Sequence, residues 1–237
     1  MVRRTNRRDG SVFLGCAAYP WCRYTESIKG NVSVESCSAG KDGGNERFAG
    51  EFVVFDVETT GLSPARDFMV EIGALLIRDE EIVSGAVFHS YINPKRPIPA
   101  RITKINGITD EMVKDAPDEC CAVTGFLNFT GDRALVAHNA GFDMGFIRAA
   151  AMRNSLTCNL TCIDTVTLSR LMYPGLPNHK LNTLAEHFSL GNFDHHRADA
   201  DAKMLSLIFS VLQKKMKKEY GVRDITSLKA AFPNSMK

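Results

Sequence analysis

Phe52-Val53-Val54-Phe55-Asp56-Val57-Glu58-Thr59-Thr60-Gly61 decides how this chain is read. The run Phe52–Val57 is β-branched or aromatic apart from one acid, the composition of a buried strand. Asp56 and Glu58 stand two residues apart at its end, so the period-2 pleat turns both to the same face. Two carboxylates about 4 Å apart repel by roughly 4 kcal/mol at an effective dielectric near 20, and protonation or a cation must remove that cost. A strand end can also carry acids simply into solvent, so the pair gains meaning from what accompanies it.

Working outward, Val70–Arg78 and Ile82–Ile92 read as two further strands around the acidic turn Asp79–Glu81. Short helices are expected at Pro99–Ile105 and from Thr109, whose Thr-Asp-Glu supplies a cap and first-turn acids. Pro117–Phe129 reads as a helix, Ala134–Ala137 as a short strand, and Asn139 opens a helix to about Asn154. A short strand at Thr161–Ile163 precedes helices at Thr165–Met172 and Leu181–Phe188. The last long helix, from about Ala198, carries Met204, Leu205, Ile208, Val211 and Leu212 on one face. Strands first, then strands alternating with helices, describe a mixed-sheet α/β domain.

Two more acids stand at helix starts. Asp143 lies in His138-Asn139-Ala140-Gly141-Phe142-Asp143, in the first turn of a helix, where the dipole favours negative charge. In His195-His196-Arg197-Ala198-Asp199-Ala200-Asp201, Asp201 precedes Met204 by three residues and Leu205 by four, so it faces inward with them. Asp199 falls on the solvated side. An inward aspartate beside Met and Leu requires a partner.

The order Asp56, Glu58, Asp143, Asp201, with His196 five residues before the last acid, resembles the DEDDh 3′→5′ exonuclease family. The blocks are DVETTG, HNAGFD and HHRADAD, and the resemblance covers about residues 51–215. Together with INGITDEM and NHKLNTLAEHF it is closest to the PolC-type and polymerase III epsilon-type proofreading branches. That resemblance implies an RNase H-like fold, a mixed five-stranded sheet flanked by helices, and metal-dependent release of nucleoside monophosphates from DNA 3′ ends. It implies two Mg²⁺ or Mn²⁺ ions: Asp56, Glu58 and Asp201 on one, Asp56 bridging to the second, and Asp143 on the second through water. Hard carboxylate oxygens suit those ions. His196 is implied as general base, its ordinary pKa near 6.5 matching proton abstraction at neutral pH. Thr59, Thr60 and Gly61 would receive the terminal nucleotide, with Leu62 and Phe142 against its base or sugar. His138, Asn139 and Asn106 complete the implied substrate contacts, Asn106 standing where the epsilon branch carries histidine.

The expected substrate is a single-stranded or frayed DNA 3′ end. The length leaves no room for a polymerase, so proofreading would act in trans beside a polymerase or other replication or repair protein. An RNA-trimming exonuclease and a non-catalytic nucleic-acid-binding module are the alternatives.

Composition is that of a globular protein: 237 residues, 44% hydrophobic, 24% charged, net +2. Residues 1–47 carry +3, residues 48–202 carry −7 and residues 203–237 carry +6. An acidic body between basic ends can hold cations and meet phosphates. No apolar stretch approaches the ~20 residues of a membrane span, and Val12–Leu14 is too short for a secretion signal. Seven cysteines, an odd number, argue against a disulfide framework and for a cytoplasmic setting.

Four segments are expected: 1–30, a linker at 31–50, the exonuclease domain at 51–220, and a tail at 221–237 with a helix near Thr226–Phe232. Gly15 to Thr25, with Tyr-Pro-Trp-Cys-Arg-Tyr, resembles the second half of the four-cysteine zinc ribbon of bacterial type IA topoisomerases. Only Cys16 and Cys22 match, against the four ligands of a closed structural site, so no stable zinc site is expected. Either a preceding half is missing from the sequence or the ribbon has become a basic, aromatic arm. Cys120, Cys121, Cys158 and Cys162 read as small core residues.

Overall fold

The structure, a computed structural model, describes residues 2–5, 12–15, 25–27, 48–191 and 197–237. Cys16, Cys22, His195, His196 and most of the expected linker lie outside the described residues, so the zinc half-site and the expected base are not placed. Three short strands, β1 (Val2–Thr5), β2 (Val12–Gly15) and β3 (Thr25–Ser27), form an antiparallel sheet.

The main sheet begins with β4 (Glu51–Thr59), β5 (Met69–Arg78) and β6 (Glu81–Tyr91). Asp79 and Glu80 alone link β5 to β6, both at positive φ (50° and 70°), the left-handed pair that matches the twist of a tight hairpin. Three helices follow: α1 (Ala100–Asn106), α2 (Asp110–Val113) and α3 (Glu119–Thr130). The Thr109 hydroxyl caps α2 and the Asp118 carboxylate caps α3, each accepting from a backbone N–H inside its helix. Then come β7 (Ala134–Ala137), α4 (Ala140–Arg153), β8 (Cys162–Asp164), α5 (Thr165–Met172), α6 (Leu181–His187), α7 (Ala198–Tyr220) and α8 (Ile225–Ala231).

Strand order is β6-β5-β4-β7-β8, antiparallel across β6-β5-β4 and parallel across β4-β7-β8. This is the mixed five-stranded sheet flanked by helices that the sequence led one to expect. Alternation along β4 sorts its two faces. Val53, Phe55 and Val57 pack with Phe126, Met144, Phe146 and Ile147 of α3 and α4. Phe52 and Val54 pack with Leu205, Ile208, Phe209 and Leu212 of α7. Asp56 and Glu58 share the parity of Phe52 and Val54, so they face α7.

Residues 221–237 are part of this body. Val222, Leu228 and Phe232 are buried in the α7-side core, and Lys237 exchanges two backbone hydrogen bonds with Cys162 (2.8 and 3.1 Å). Drawing the edge at Tyr220 therefore cuts through packed structure; the Gly221 stop ends a helix, not the fold. The cysteines also differ from expectation. Cys162 is buried and Cys158 half-buried, but Cys120 and Cys121 are exposed, because α3 turns Ala122, Val123 and Phe126 inward.

Candidate active site

β4 and β7 run parallel, so their carboxyl ends open at the same edge of the sheet, the usual place for a ligand in such folds. Here Asp56 and Glu58 meet two helix N-termini. Asp143 stands in the first turn of α4 and is 2% exposed; Asp201 stands in the first turn of α7 and is 8% exposed. One carboxylate oxygen from each of Asp56, Glu58 and Asp201 lies within 4.8 Å of the others. Asp143 lines the same cavity of about 430 Å³, with Val57, His138, Phe142, Lys180 and Leu181 among the walls.

The register shifts between Glu58 and Thr59, where Val70 is the extra residue on β5. Such a bulge re-aims the strand end beside the site. The Asn106 amide donates to Glu58 Oε2 (3.2 Å) while its carbonyl oxygen accepts from the Ile108 N–H (3.0 Å), which ties Glu58 to the end of α1. The Thr59 hydroxyl donates to Gly61 O (2.6 Å), and the Thr60 hydroxyl accepts from the Phe68 N–H (3.0 Å). Gly61 is dictated by its own loop: a Cβ there would lie 2.5 Å from the Asp67 carboxylate. Leu62, 82% exposed, projects beyond this turn, and Phe142 packs on Phe146 with centroids 5.0 Å apart.

His138 lines the cavity with both ring nitrogens engaged. Nε2 lies 2.8 Å from the His179 carbonyl, which can only accept, so Nε2 carries the proton; Nδ1 lies 2.9 Å from the Thr165 hydroxyl, whose one proton is shared between Nδ1 and the Ala137 carbonyl at 3.1 Å. Burial pulls its pKa down to about 4, so the ring is neutral at pH 7. Asn139 is left-handed (φ 68°), and its N–H and that of Ala140 both donate to Asp164 Oδ1. Asp164 also caps α5, coupling the starts of two helices.

Electrostatically the four acids oppose one another. Burial first, then the charges of Asp143, Asp201, Glu58 and Glu71, push Asp56 well above the carboxylate range. Burial raises Glu58 to about 7 against the pull of the Asn106 hydrogen bond. Burial raises Asp143 to about 8 despite the Val57 N–H, whose hydrogen bond favours the charged form. A hard divalent cation answers this donor set, since oxygen-only ligands bearing surplus negative charge are what such ions select.

Sequence reasoning passed over a second network behind the first. Glu71, directly across from Glu58 and fully buried, accepts from Arg197 Nη2 (3.1 Å) and from the backbone N–H of Ala198 (3.1 Å), and contacts His89 Nε2 (2.6 Å). Burial works upward on its pKa, but these hydrogen bonds outweigh it and hold the group low. Glu71 thus ties β5 to the start of α7 and so fixes the turn that carries Asp201. Lys180 and Leu181 also line the cavity, although the sequence marks them only as part of the resembling stretch NHKLNTLAEHF and the start of a helix.

The raised carboxyl pKa values predict a pH dependence. In metal-free protein the folded state retains protons on Glu58 and Asp143 that the unfolded chain, with ordinary values of 4.5 and 3.8, has released. Stability is then fully present below about pH 4 and is lost as pH rises through about 7 and 8. Thermal melts in EDTA should show Tm falling over that window, and added Mg²⁺ or Mn²⁺ should raise Tm more at pH 8 than at pH 5, because binding must displace protons. A metal-free Tm that is flat or climbs over the same range would contradict it.

With this geometry in place, the comparisons with known proteins are direct. The family model described as Exonuclease matches residues 53–209. The PolC-type DNA polymerase III of Caldanaerobacter subterraneus subsp. tengcongensis is 45% identical over 183 residues, 77% of this chain and 13% of that protein. The PolC-type DNA polymerase III of Bacillus subtilis (strain 168) is 43% identical over 154 residues, 64% of this chain and 11% of that protein. The chain spans about one eighth of the length of these curated relatives. Among solved structures, exonuclease X in complex with 5′-overhanging duplex DNA has a TM-score of 0.57 at 25% identity, covering 73% of this chain and 96% of that one. Escherichia coli exonuclease I with a dT13 oligonucleotide shares the fold (TM-score 0.65, 17% identity, 72% of this chain and 42% of that one).

Proposed function

Since the chain belongs to the exonuclease family, whose model spans the whole of the sheet's catalytic edge, we propose that it is a metal-dependent 3′→5′ exonuclease acting on DNA ends. The observation that carries this reading is the convergence of Asp56, Glu58 and Asp201 within 4.8 Å of one another, in one cavity with Asp143. Asp56, Glu58 and Asp201 would hold one Mg²⁺ or Mn²⁺ and Asp56 and Asp143 the second. Bound there, such ions stabilise charge on the attacking and leaving oxygens of a displacement at phosphorus.

The chain's own groups orient the substrate. Phe142 lines the cavity that would take the terminal nucleotide, the Thr59–Gly61 turn and Leu62 follow Glu58 out of it and would lie beside that nucleotide, and Asn106 steadies Glu58. His138, neutral and with both nitrogens engaged, shapes the wall and donates no proton to the reaction. His196, adjacent to the anchored Arg197, is assigned the proton from the attacking water. No helix among the described residues is long and apolar enough to cross a membrane. The odd number of cysteines in the sequence favours a reducing, cytoplasmic setting. The polymerases among its relatives support work at replication or repair ends.

The test is product analysis. A 5′-labelled single strand should shorten from its 3′ end in Mg²⁺ or Mn²⁺ with release of nucleoside 5′-monophosphates, and EDTA or a blocked 3′ hydroxyl should stop it. Faster degradation of a matched RNA strand would replace DNA with RNA as the substrate. Metal-independent binding with no release of mononucleotides would reduce the chain to a binding module.

A further inference from the structure

A cavity of about 430 Å³ is at the small end of ligand sites and suits one nucleotide, so the rest of a strand must leave it across the rim. On one side the rim is shared: His138, Lys180 and Leu181 also line a neighbouring groove of about 520 Å³, together with Arg170, Asn178 and His179. Among the described residues, the lining of that groove contains no acid.

Its cations are free to meet phosphate. Lys180 and Arg170 are exposed, and neither forms an ion pair among the described residues. Arg197, which precedes the helix carrying Asp201, is by contrast paired with Glu71. The lysine's backbone is held in place, since Asn178 Oδ1 accepts from the Lys180 N–H (3.1 Å) and from the Thr183 hydroxyl (2.7 Å). The His179 carbonyl is gripped by His138. Arg170 projects from α5 on the groove's other side, close enough that its charge, after burial, lowers the His179 pKa.

Resting on the exonuclease reading, we propose that this groove is the path of the substrate strand: Lys180 and Arg170 bind the phosphates that precede the 3′-terminal nucleotide. The two cations attract the sugar-phosphate backbone and lead the strand outward between α5 and the start of α6.

The experiment is anisotropy binding of a labelled single DNA strand of about ten nucleotides to the full chain in EDTA, over a range of salt. Each phosphate contact adds roughly 0.7 to the slope of log affinity against log salt for a single strand. The K180A/R170A double variant should bind about 10-fold more weakly near 0.1 M salt, with a slope shallower by roughly 1.4. K180R/R170K should restore both, and the distant surface variant K229A should change neither. If the double variant matches wild type in affinity and slope while wild type still releases nucleotides, the groove is refuted and the nuclease reading stands. If the variant loses affinity and slope as stated but wild type releases no nucleotide in Mg²⁺, the groove stands and the nuclease reading falls.

Discussion

Replacing Asp56 by asparagine is expected to abolish metal-dependent nucleotide release while making the metal-free protein more stable. Asp56 is the acid on which the others converge: the charges of Asp143, Asp201 and Glu58 all bear on it. An amide of the same shape removes a full negative charge and the oxygen that would be shared between two cations. Electrostatic stabilisation by bound metal is worth several kcal/mol, and losing about 4 kcal/mol corresponds to roughly a 10³-fold drop in kcat. In EDTA the same change removes the cost of keeping a buried Asp56 carboxyl protonated when the unfolded chain has released that proton. If that relief is about 1–2 kcal/mol, Tm rises by about 2–8 °C for a domain of this size. Melts with and without Mg²⁺, alongside timed mononucleotide release, report both effects. Activity within tenfold of wild type, or a lower Tm in EDTA, would show that Asp56 does not sit at the electrostatic centre of the site.

Gly73→Ala should do comparable damage from a position that touches no substrate. Gly73 pairs with Asp56 across the β4–β5 ladder, and α7 begins directly above it. A Cβ at this position would lie 2.3 Å from the Ala198 carbonyl carbon and 2.4 Å from both Ala198 O and Asp199 N. These are backbone atoms, so relief requires the first turn of α7 to lift by about an ångström, taking Asp201 with it. A misplacement of that size costs about 10²-fold in rate, and overpacking costs about 1–3 kcal/mol. Gly141→Ala is the matched control, since its added Cβ meets open space within α4 and should stabilise by about 0.5–1 kcal/mol. Denaturant unfolding and kcat measured on both variants check the pair. Equal behaviour of the two would mean that α7 can shift without consequence.

Most of the elements were legible because their signals are local. The β-branched run of β4, the Thr109 cap and the acidic turn, expected at Asp79–Glu81 and found at Asp79–Glu80, each act within a few residues. The inward face of Asp201 followed from helical period alone. Reading failed where burial depends on partners far along the chain. Cys120 and Cys121 look apolar enough for a core, yet the docking of α3 leaves them outside. Residues 221–237 read as a tail with one short helix, yet Leu228 and Phe232 complete a core begun by Phe52. Glu71 reads as an ordinary strand residue because its partners, Arg197 and Ala198, lie more than a hundred residues away.

Strand and helix periods by themselves turned Asp56 and Glu58 to one face and Asp201 inward, because those periods are properties of the local backbone. The grouping of these acids with Asp143 into one candidate site came from the resemblance of the three sequence blocks. Only the tertiary structure decided that the acids meet within 4.8 Å, that Gly73 must be bare for them to do so, and that Lys180 and Arg170 flank one exit. Those facts depend on how the helices dock against the sheet, and docking is set by the summed packing of distant side chains that no short stretch encodes.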